Sequence, residues 1–582
     1  MKLEALKKAY SDCFQQTPLS ATYQQWIEHY ETPLFGNQSA LRNEASGFSY
    51  TPLISIVMPV YNVAEEYLRK AIESVQDQVY PNWQLCIADD CSTEPHIKKV
   101  LDEFQSSDSR ISVKYREQNG HISKASNSAL SLASGEIIAL LDHDDTLAPH
   151  ALFCVVKAFN ENSEISFIYS DEDFIDEQGH RLRPHFKSQW NPELLRAHNY
   201  ITHLAVIRKR LIDEAGGFRV GYEGAQDYDL FLRLTKHLPP DQIHHIPHIL
   251  YHWRAIEGST AADSNSKNYA TEAGLKALQD QLISDRSIKV SHDQPANFYR
   301  VDSTLPEQPP LVSLIIPTRN ALDVLKPCIE SILEKTDYPN YEVIIVDNQS
   351  DDPEVLSWLG DISKNKKIRV IHYDAPFNYS LINNFAAKRA SGEIIGLINN
   401  DVEVINSNWL CEMASLAIQQ DNGCIGAKLY YPDGDIQHAG VILGLGGYAA
   451  HSHRGLPRDH PGYFNRANIR QNLSAVTGAC LLVRRSIFEE VGGLNKDFTV
   501  AYNDVDFCLK VQTSGYRNVF TPFAELYHHE SKTRGYDDTP EKQARFQAEK
   551  DLLFMKWGKL LENDPYYSPN LSRSHEDFSI RA

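Results

Sequence analysis

No stretch of this chain reaches the roughly 20 uninterrupted apolar residues that a membrane-spanning helix needs. Its start, MKLEALKKAYSDCFQQ, has neither the apolar core nor the small-residue cleavage site of a secretory signal. Cysteine is sparse as well. Cys13, Cys86, Cys91, Cys154, Cys328, Cys411, Cys424, Cys480 and Cys508 are scattered, odd in number and form no CxxC pair, which argues against a disulfide framework and a thiolate zinc site and fits a reducing compartment. Low-complexity tracts are missing. Positive charge is short: the formal net charge of −20 argues against a role built on nonspecific nucleic-acid binding, although it does not decide membrane contact. The expected location is cytoplasmic. With 42% hydrophobic and 23% charged residues, neither disorder nor a fibrous architecture is indicated, and 582 residues suffice for several modules with real cores.

What the chain does have is a repeat. ISIVMPVYN (54–62) returns as VSLIIPTRN (312–320), and LCIADDCS (85–92) as VIIVDNQS (343–350), each displaced by 258 residues. ASGEIIALLDHDD (133–145) returns as ASGEIIGLINNDV (390–402), displaced by 257. GGFRVGYEGAQDYDLFLRL (216–234) matches GGLNKDFTVAYNDVDFCLKV (492–511), and LYHWR (250–254) matches LYHHE (526–530). Five blocks in one order imply duplication of a whole domain rather than a short solenoid.

Each copy opens with a continuous β-branched run, then an amphipathic stretch (AEEYLRKAIESVQDQ, ALDVLKPCIESILEK), then a second buried run (WQLCIADD, YEVIIVDN). This is β-α-β, so the fold class is α/β with a mostly parallel, doubly wound sheet. The expected organisation is a helical extension over 1–50, the first copy with a connecting helix over 51–300, a Pro-rich hinge at 301–311, the second copy over 312–535, and a helix with a tail over 536–582. Ligands of such sheets bind beyond the carboxyl ends of the strands, where the carboxylates stand.

Asp142 and Asp144, two apart at a strand end, can turn toward one hard cation such as Mg²⁺ or Mn²⁺. An acidic turn is the competing reading. The second copy keeps Asp144 as Asp401 and has Asn399 for Asp142, so the last Asp is the expected main ligand. Asp227 and Asp504 open amphipathic helices, where a carboxylate serves either as a general base or as an N-cap. His252 and His528 follow matched apolar runs and can complete a metal shell or be structural. Asp89 with Asp90, and Asp347 with Asn348, end the second strand of each copy, suited to nucleotide contacts or to turn formation.

In order, PVYN, ADD, LDHDD, QDYDL and YHWR…GST, then PTRN, VDN, INNDV, YNDVDF and YHHESKTRG, resemble two tandem family 2 glycosyltransferase domains of the GT-A fold, found in bacterial proteins that build O-antigen, capsule or rhamnan-type surface polysaccharides. The resemblance implies an inverting, bifunctional enzyme with one Mn²⁺ or Mg²⁺ per domain, a UDP- or dTDP-linked sugar donor, and a glycan or lipid-linked acceptor. It carries with it peripheral contact with the inner face of the cytoplasmic membrane. By the same resemblance, Asp227 and Asp504 are the catalytic bases, and Asp144, His252, Asp401 and His528 serve the metal. Donor contacts come from Pro59, Tyr61, Asp89, Asp90, Asp142, Pro317, Arg319, Asp347 and Asn399. The rival reading keeps the fold but makes one copy, the second because of Asn399, an acceptor-binding module.

Overall fold

The computed structural model describes residues 19–254, 264–283, 288–292, 295–530 and 539–581. The GST (258–260) and SKTRG (531–535) segments of the motifs lie outside the described residues. In the first copy β1 (Ile54–Val60), β2 (Trp83–Asp89), β3 (Ile111–Tyr115), β4 (Ile137–Leu140), β5 (Thr146–Leu147), β6 (Phe167–Ile175), β7 (Arg181–His185), β8 (Ala205–Arg208) and β9 (Ile243–Arg254) form one sheet. Its order is β3-β2-β1-β4-β8-β6-β9-β5, with β7 on β6. Then come a helix (Ser264–Leu282) and a hairpin of β10 (Ile288–Ser291) and β11 (Arg300–Ser303). The expected hinge at 301–311 thus begins inside a strand, which Gln419 binds through Ser303 at 2.7 Å.

The second copy has β12 (Val312–Thr318), β13 (Tyr341–Asp347), β14 (Ile368–His372), β15 (Ile394–Ile398), β16 (Val402–Val404), β17 (Asn422–Tyr430), β18 (Ile436–His438), β19 (Val441–Leu443), β20 (Ala449–His451), β21 (Gln471–Asn472), β22 (Cys480–Arg484) and β23 (Arg517–His528). The order β14-β13-β12-β15-β22-β17-β23-β16 repeats the first sheet position by position, with β18 on β17 in the place of β7 on β6.

The parallel half follows from the sequence. All seven residues of β1 are buried, as a strand covered on both faces requires, and the helix Glu65–Gln76 buries Leu68, Ala71, Ile72 and Val75 at helical spacing. The β1–β4 ladder stops at Val57↔Leu140 and the β12–β15 ladder at Ile315↔Leu397. Pro59 and Pro317, which lack an N–H, lie just past these points. The strand order reverses there, which opens a crevice beyond the carboxyl ends in each copy. Beyond β4 and β15 the sheets become mixed: β8 and β22 run antiparallel to them.

The first and last described segments are packed in. Tyr23 and Trp26 of the N-terminal extension and Tyr566, Tyr567 and Phe578 of the tail share one core with the second copy. The copies meet through a buried amide exchange: Asn191 Nδ2 donates to the Asn472 carbonyl at 2.9 Å, and the Asn472 N–H returns to Asn191 Oδ1 at 3.0 Å. Because both side chains are buried, either amide left alone would be costly to desolvate.

Candidate active sites

The second copy gathers its predicted residues most completely. Asp401 is buried just past β15, and its Oδ1 lies 3.2 Å from Nε2 of His528 at the end of β23. Asn399 Nδ2 is also 3.2 Å from that nitrogen. The His528 ring is oriented from behind: Nδ1 meets Gln437 Oε1 at 2.6 Å, while Gln437 Nε2 donates to the His528 carbonyl and to Glu530, each at 3.2 Å. That amide presents an acceptor to Nδ1, so the neutral ring carries its proton there and aims a lone pair at Asp401. Asp401 Oδ1 is correspondingly a buried oxygen with no hydrogen-bond partner. Two acceptors facing each other across 3.2 Å fit a cation between them. Burial raises the Asp401 carboxyl; when Nε2 carries a proton instead of facing a cation, His528 donates to Asp401 and its charge holds the carboxyl below the ordinary carboxylate range. A proton and a cation are therefore alternative occupants of this gap.

The first copy is built differently. Asp142, Asp145 and His203 have ligand atoms within 4.8 Å of one another, with Asp142 Oδ2 3.7 Å from His203 Nε2. Asp145 is buried, and its oxygens already accept from Tyr251 Oη at 2.6 Å and the Arg254 N–H at 2.7 Å. Burial, then the charges of Asp144 and Asp142, push it well above the usual range. Asp145 therefore closes the back of the cluster, and Asp142 and His203 are its open donors. The half-buried Asp144 is raised too, by burial first and less by Asp142. Crowding carboxylates this tightly calls for either a proton or a cation, so this donor set also suits a hard divalent ion.

His252 does not join that cluster. Its Nδ1 is 2.5 Å from Asp173 Oδ1, in a network where Tyr23 Oη and Arg181 Nε reach Asp173 Oδ2, each at 2.5 Å, and Arg181 also pairs with Glu31. The cause is strand register. Thr146 pairs with His252, whereas Val402, the counterpart of Asp145, pairs with His528. The other edge agrees: Glu172 pairs with Tyr251 and Leu429 with Leu526. By ladder position His528 therefore corresponds to Trp253, and His252 to Tyr527. A shift of one residue turns a strand side chain to the opposite face. The expectation that His252 faces the first cation is corrected on this ground.

Asp227 and Asp504 sit one residue into the helices Gln226–Thr235 and Asn503–Thr513, whose N-cap residues are Ala225 and Tyr502, so neither carboxylate is the cap. Asp227 accepts from Asn199 Nδ2 at 2.9 Å. Burial raises it, His203 opposes and Asp142 adds to the rise, which also places Asp227 in the electrostatic reach of the cluster. Asp504 Oδ2 accepts from the Gly478 N–H at 2.8 Å; the Gly478 carbonyl in turn accepts from Tyr379 Oη at 3.1 Å, and the same hydroxyl lies 3.5 Å from Asn399 Oδ1. The next acid in each motif is structural: Asp229 pairs with Arg219 and Arg233, and Asp506 takes Lys556 and Trp557 from the C-terminal helix at 2.5 and 2.8 Å.

On the other side of each crevice, Asp89 accepts from Ser92 N–H at 3.3 Å and Asp347 from Ser350 N–H at 3.1 Å. Asp90 binds Arg116 Nε at 2.6 Å and the Gly120 N–H at 2.9 Å, while Asn348 donates to the carbonyls of Tyr373 and Ala375. Tyr61 and Arg319 are exposed at the strand ends. Pro59 offers its carbonyl to His143 Nδ1 at 3.0 Å, and Asn400 donates to Thr318 Oγ1 at 3.1 Å next to Pro317. Sequence reasoning missed Asn62 and Asn320, which adopt positive φ and hold the facing turn through Ser92 and Ser350. The final letter of PVYN and PTRN was their signal. Gln437 and His203, also missed, have no matching residue type in the other copy.

Two doubly wound α/β domains, each with a carboxylate and a histidine at the switch point and a second carboxylate in the first turn of a nearby helix, have the build of tandem nucleotide-dependent transferases. The model of glycosyl transferase family 2 matches residues 55–216 and 313–492, and the chain belongs to that family. It is 51% identical over 533 residues to the uncharacterized protein y4gI of Sinorhizobium fredii, covering 91% of this chain and 58% of that protein. It is 36% identical over 573 residues to the O-antigen biosynthesis protein RfbC of Myxococcus xanthus, covering 97% of this chain and 44% of that one. The chain thus spans about half the length of these relatives. Among solved structures, a mannosyltransferase from Pyrobaculum calidifontis in complex with GDP-Man and Mn²⁺ is similar at a TM-score of 0.33 and 18% identity, over 45% of this chain and 72% of that one. A likeness that low carries no argument here. Among the described residues, no helix is long and apolar enough to cross a membrane.

Proposed function

We propose that the chain is a bifunctional, inverting glycosyltransferase that uses nucleoside-diphosphate sugars, UDP- or dTDP-linked, to extend a bacterial surface glycan. The resemblance to an O-antigen biosynthesis protein along nearly the whole chain supports the product class. The observation that carries two active sites is that each copy sets a carboxylate in the first turn of a helix beside its strand-end cluster, Asp227 near Asp142 and His203, and Asp504 joined through Gly478 and Tyr379 to Asn399. In this reading Asp227 and Asp504 each take the proton of an acceptor hydroxyl as it attacks the anomeric carbon from the face opposite the leaving diphosphate. The raised pKa of Asp227 makes its carboxylate a stronger base than an ordinary aspartate.

Asp142 with His203, in place of the expected Asp144, and Asp401 with His528 would hold a divalent cation, whose contribution is to neutralise charge on the departing diphosphate. Asp89 and Asp347 would meet the nucleoside at the far side of each crevice. A lipid-linked acceptor, with peripheral attachment at the inner face of the cytoplasmic membrane, belongs to the same reading. The orientation of His528 by Gln437 favours an active second copy over an acceptor-binding one, despite Asn399.

Asp227→Asn and Asp504→Asn, made separately and assayed by mass spectrometry of products, test this. Each is expected to lower a different linkage by about 10²–10⁴-fold, the usual worth of a general base. A variant that forms every linkage at the parental rate would make its copy a binding module.

A further inference from the structure

The two copies both bring an imidazole to the strand-end cluster, but from different elements. In the second it comes from the end of β23. In the first, the residue at that ladder position is Trp253, and the imidazole near Asp142 belongs to His203, in the loop entering β8. Pairing β4 with β8 and β15 with β22 matches Arg208 to Arg484, so the counterpart of His203 is Ala479. Histidine and non-histidine have changed places between two positions. His203 lies flat on Tyr251, ring centres 4.3 Å apart, and meets Trp253 edge-on at 5.6 Å.

The loop that carries it is fixed by a device the second copy lacks. Lys187 is fully buried and its Nζ donates to the carbonyls of Ile201 and His203, each at 2.6 Å, and to Thr202 Oγ1 at 3.1 Å. Glu172, 3.5 Å from Nζ, accepts from Thr202 Oγ1 at 2.6 Å and from the His203 N–H at 3.1 Å. Leu429 holds the position of Glu172 in the second copy. Placing an ammonium and a carboxylate in the interior is costly unless their bonds are met. Here nearly all of those bonds go to the three residues ending in His203.

We propose that His203, and not His252, is the imidazole of the first active site toward its cation and diphosphate, with Lys187 and Glu172 as its positioning residues. His252 belongs to the lock that holds the N-terminal extension through Asp173, Arg181, Tyr23 and Glu31. The inference rests on the cation-dependent reading of the function and assigns a ligand within it.

The test uses the full chain carrying Asp401→Asn, so that the second site contributes little Mn²⁺ binding, with Mn²⁺ and UDP or dTDP as probes. Pulsed electron paramagnetic resonance reads ¹⁴N coupling to Mn²⁺, and calorimetry reads affinity. In that background a histidine ¹⁴N coupling is expected, lost on adding His203→Gln together with a roughly tenfold or greater fall in Mn²⁺ affinity, and kept on adding His252→Gln. His203→Ala gives the same readout should the Gln variant not fold. Coupling that survives both His203 substitutions, disappears in His252→Gln, or is absent from the Asp401→Asn chain overturns the assignment. If the unsubstituted chain takes up no Mn²⁺ with either nucleotide, the wider functional reading falls, and this assignment with it.

Discussion

The two copies share one sheet order and differ in how they fill the same crevice. The second has one carboxylate, an amide and a histidine on the strand end, with a glutamine amide turning the ring. The first has three carboxylates in four residues and a histidine on a loop, held by a buried ion pair. Charge and scaffold have moved together: a site with more negative charge to manage uses a stiffer, ionic support, and a site with less uses neutral amides. Duplication preserved the place of the crevice while the histidine beside it changed element, so matching motifs letter by letter pairs His252 with His528 where the ladder pairs Trp253 with His528.

The comparison breaks most visibly at the ion pair. Glu172 stays ionised although buried, because the opposing influence of Lys187, His185 and His203 outweighs burial and takes it to about 2. Lys187→Met would take away the buried ammonium, the strongest opposing influence on that carboxylate, and a loss of about 3–5 kcal/mol is expected in urea unfolding of the full chain. Lys187→Met with Glu172→Leu, which puts the second copy's leucine opposite an uncharged side chain, should recover most of it. A double variant as unstable as the single would mean that the pair is not the unit of support. A smaller effect is expected at the glutamine: Gln437→Ala should weaken Mn²⁺ binding at the second site by about 10–100-fold, the usual worth of a residue that orients a metal-bound histidine, with the first site unaffected. Equal weakening at both sites would show that Gln437 acts through general stability.

Much of this was legible beforehand, for identifiable reasons. The parallel half of each sheet announced itself as buried runs separated by amphipathic helices, because β1 and β12 are covered on both faces. Asp401 and His528 were legible as a pair because ladder and motif agree there. The register of β9 was not. It depends on irregular pairings around Asp171 and Glu172, where the ladder skips residues of β9, and such bulges leave no pattern in a β-branched run. His203 was hidden because reading one copy against the other rewards residues that recur, and its counterpart is an alanine. The packing of the first and last described segments was invisible for a related reason: Tyr23, Trp26 and Phe578 have no repeat partner, and their burial is a long-range matter.

Those two segments offer the finest comparison. Each copy closes over a terminal segment through a histidine stacked on a phenylalanine: His150 on Phe35, ring centres 3.9 Å apart and 2° from parallel, and His453 on Phe578, 4.7 Å and 26°. Both histidines are buried with Nε2 unbonded, and burial pushes both pKa values down, His150 to about 3 and His453 well below the ordinary value. For a base depressed in the folded state, the unfolded chain binds the proton first. Stability from each stack is therefore complete above about pH 6.5, the unfolded value, and falls as pH drops from there toward the folded value, by up to about 1.4 kcal/mol per pH unit. Hydrogen exchange between pH 7 and 5 should show residues 19–46 and 564–581 losing protection with a common onset. His150→Phe keeps a ring on Phe35 and removes the proton acceptor, so it should restore protection at pH 5 over 19–46 alone, and His453→Phe over 564–581 alone. If either substitution protects both segments, or neither, the two closures are not the independent, equivalent devices that their geometry makes them.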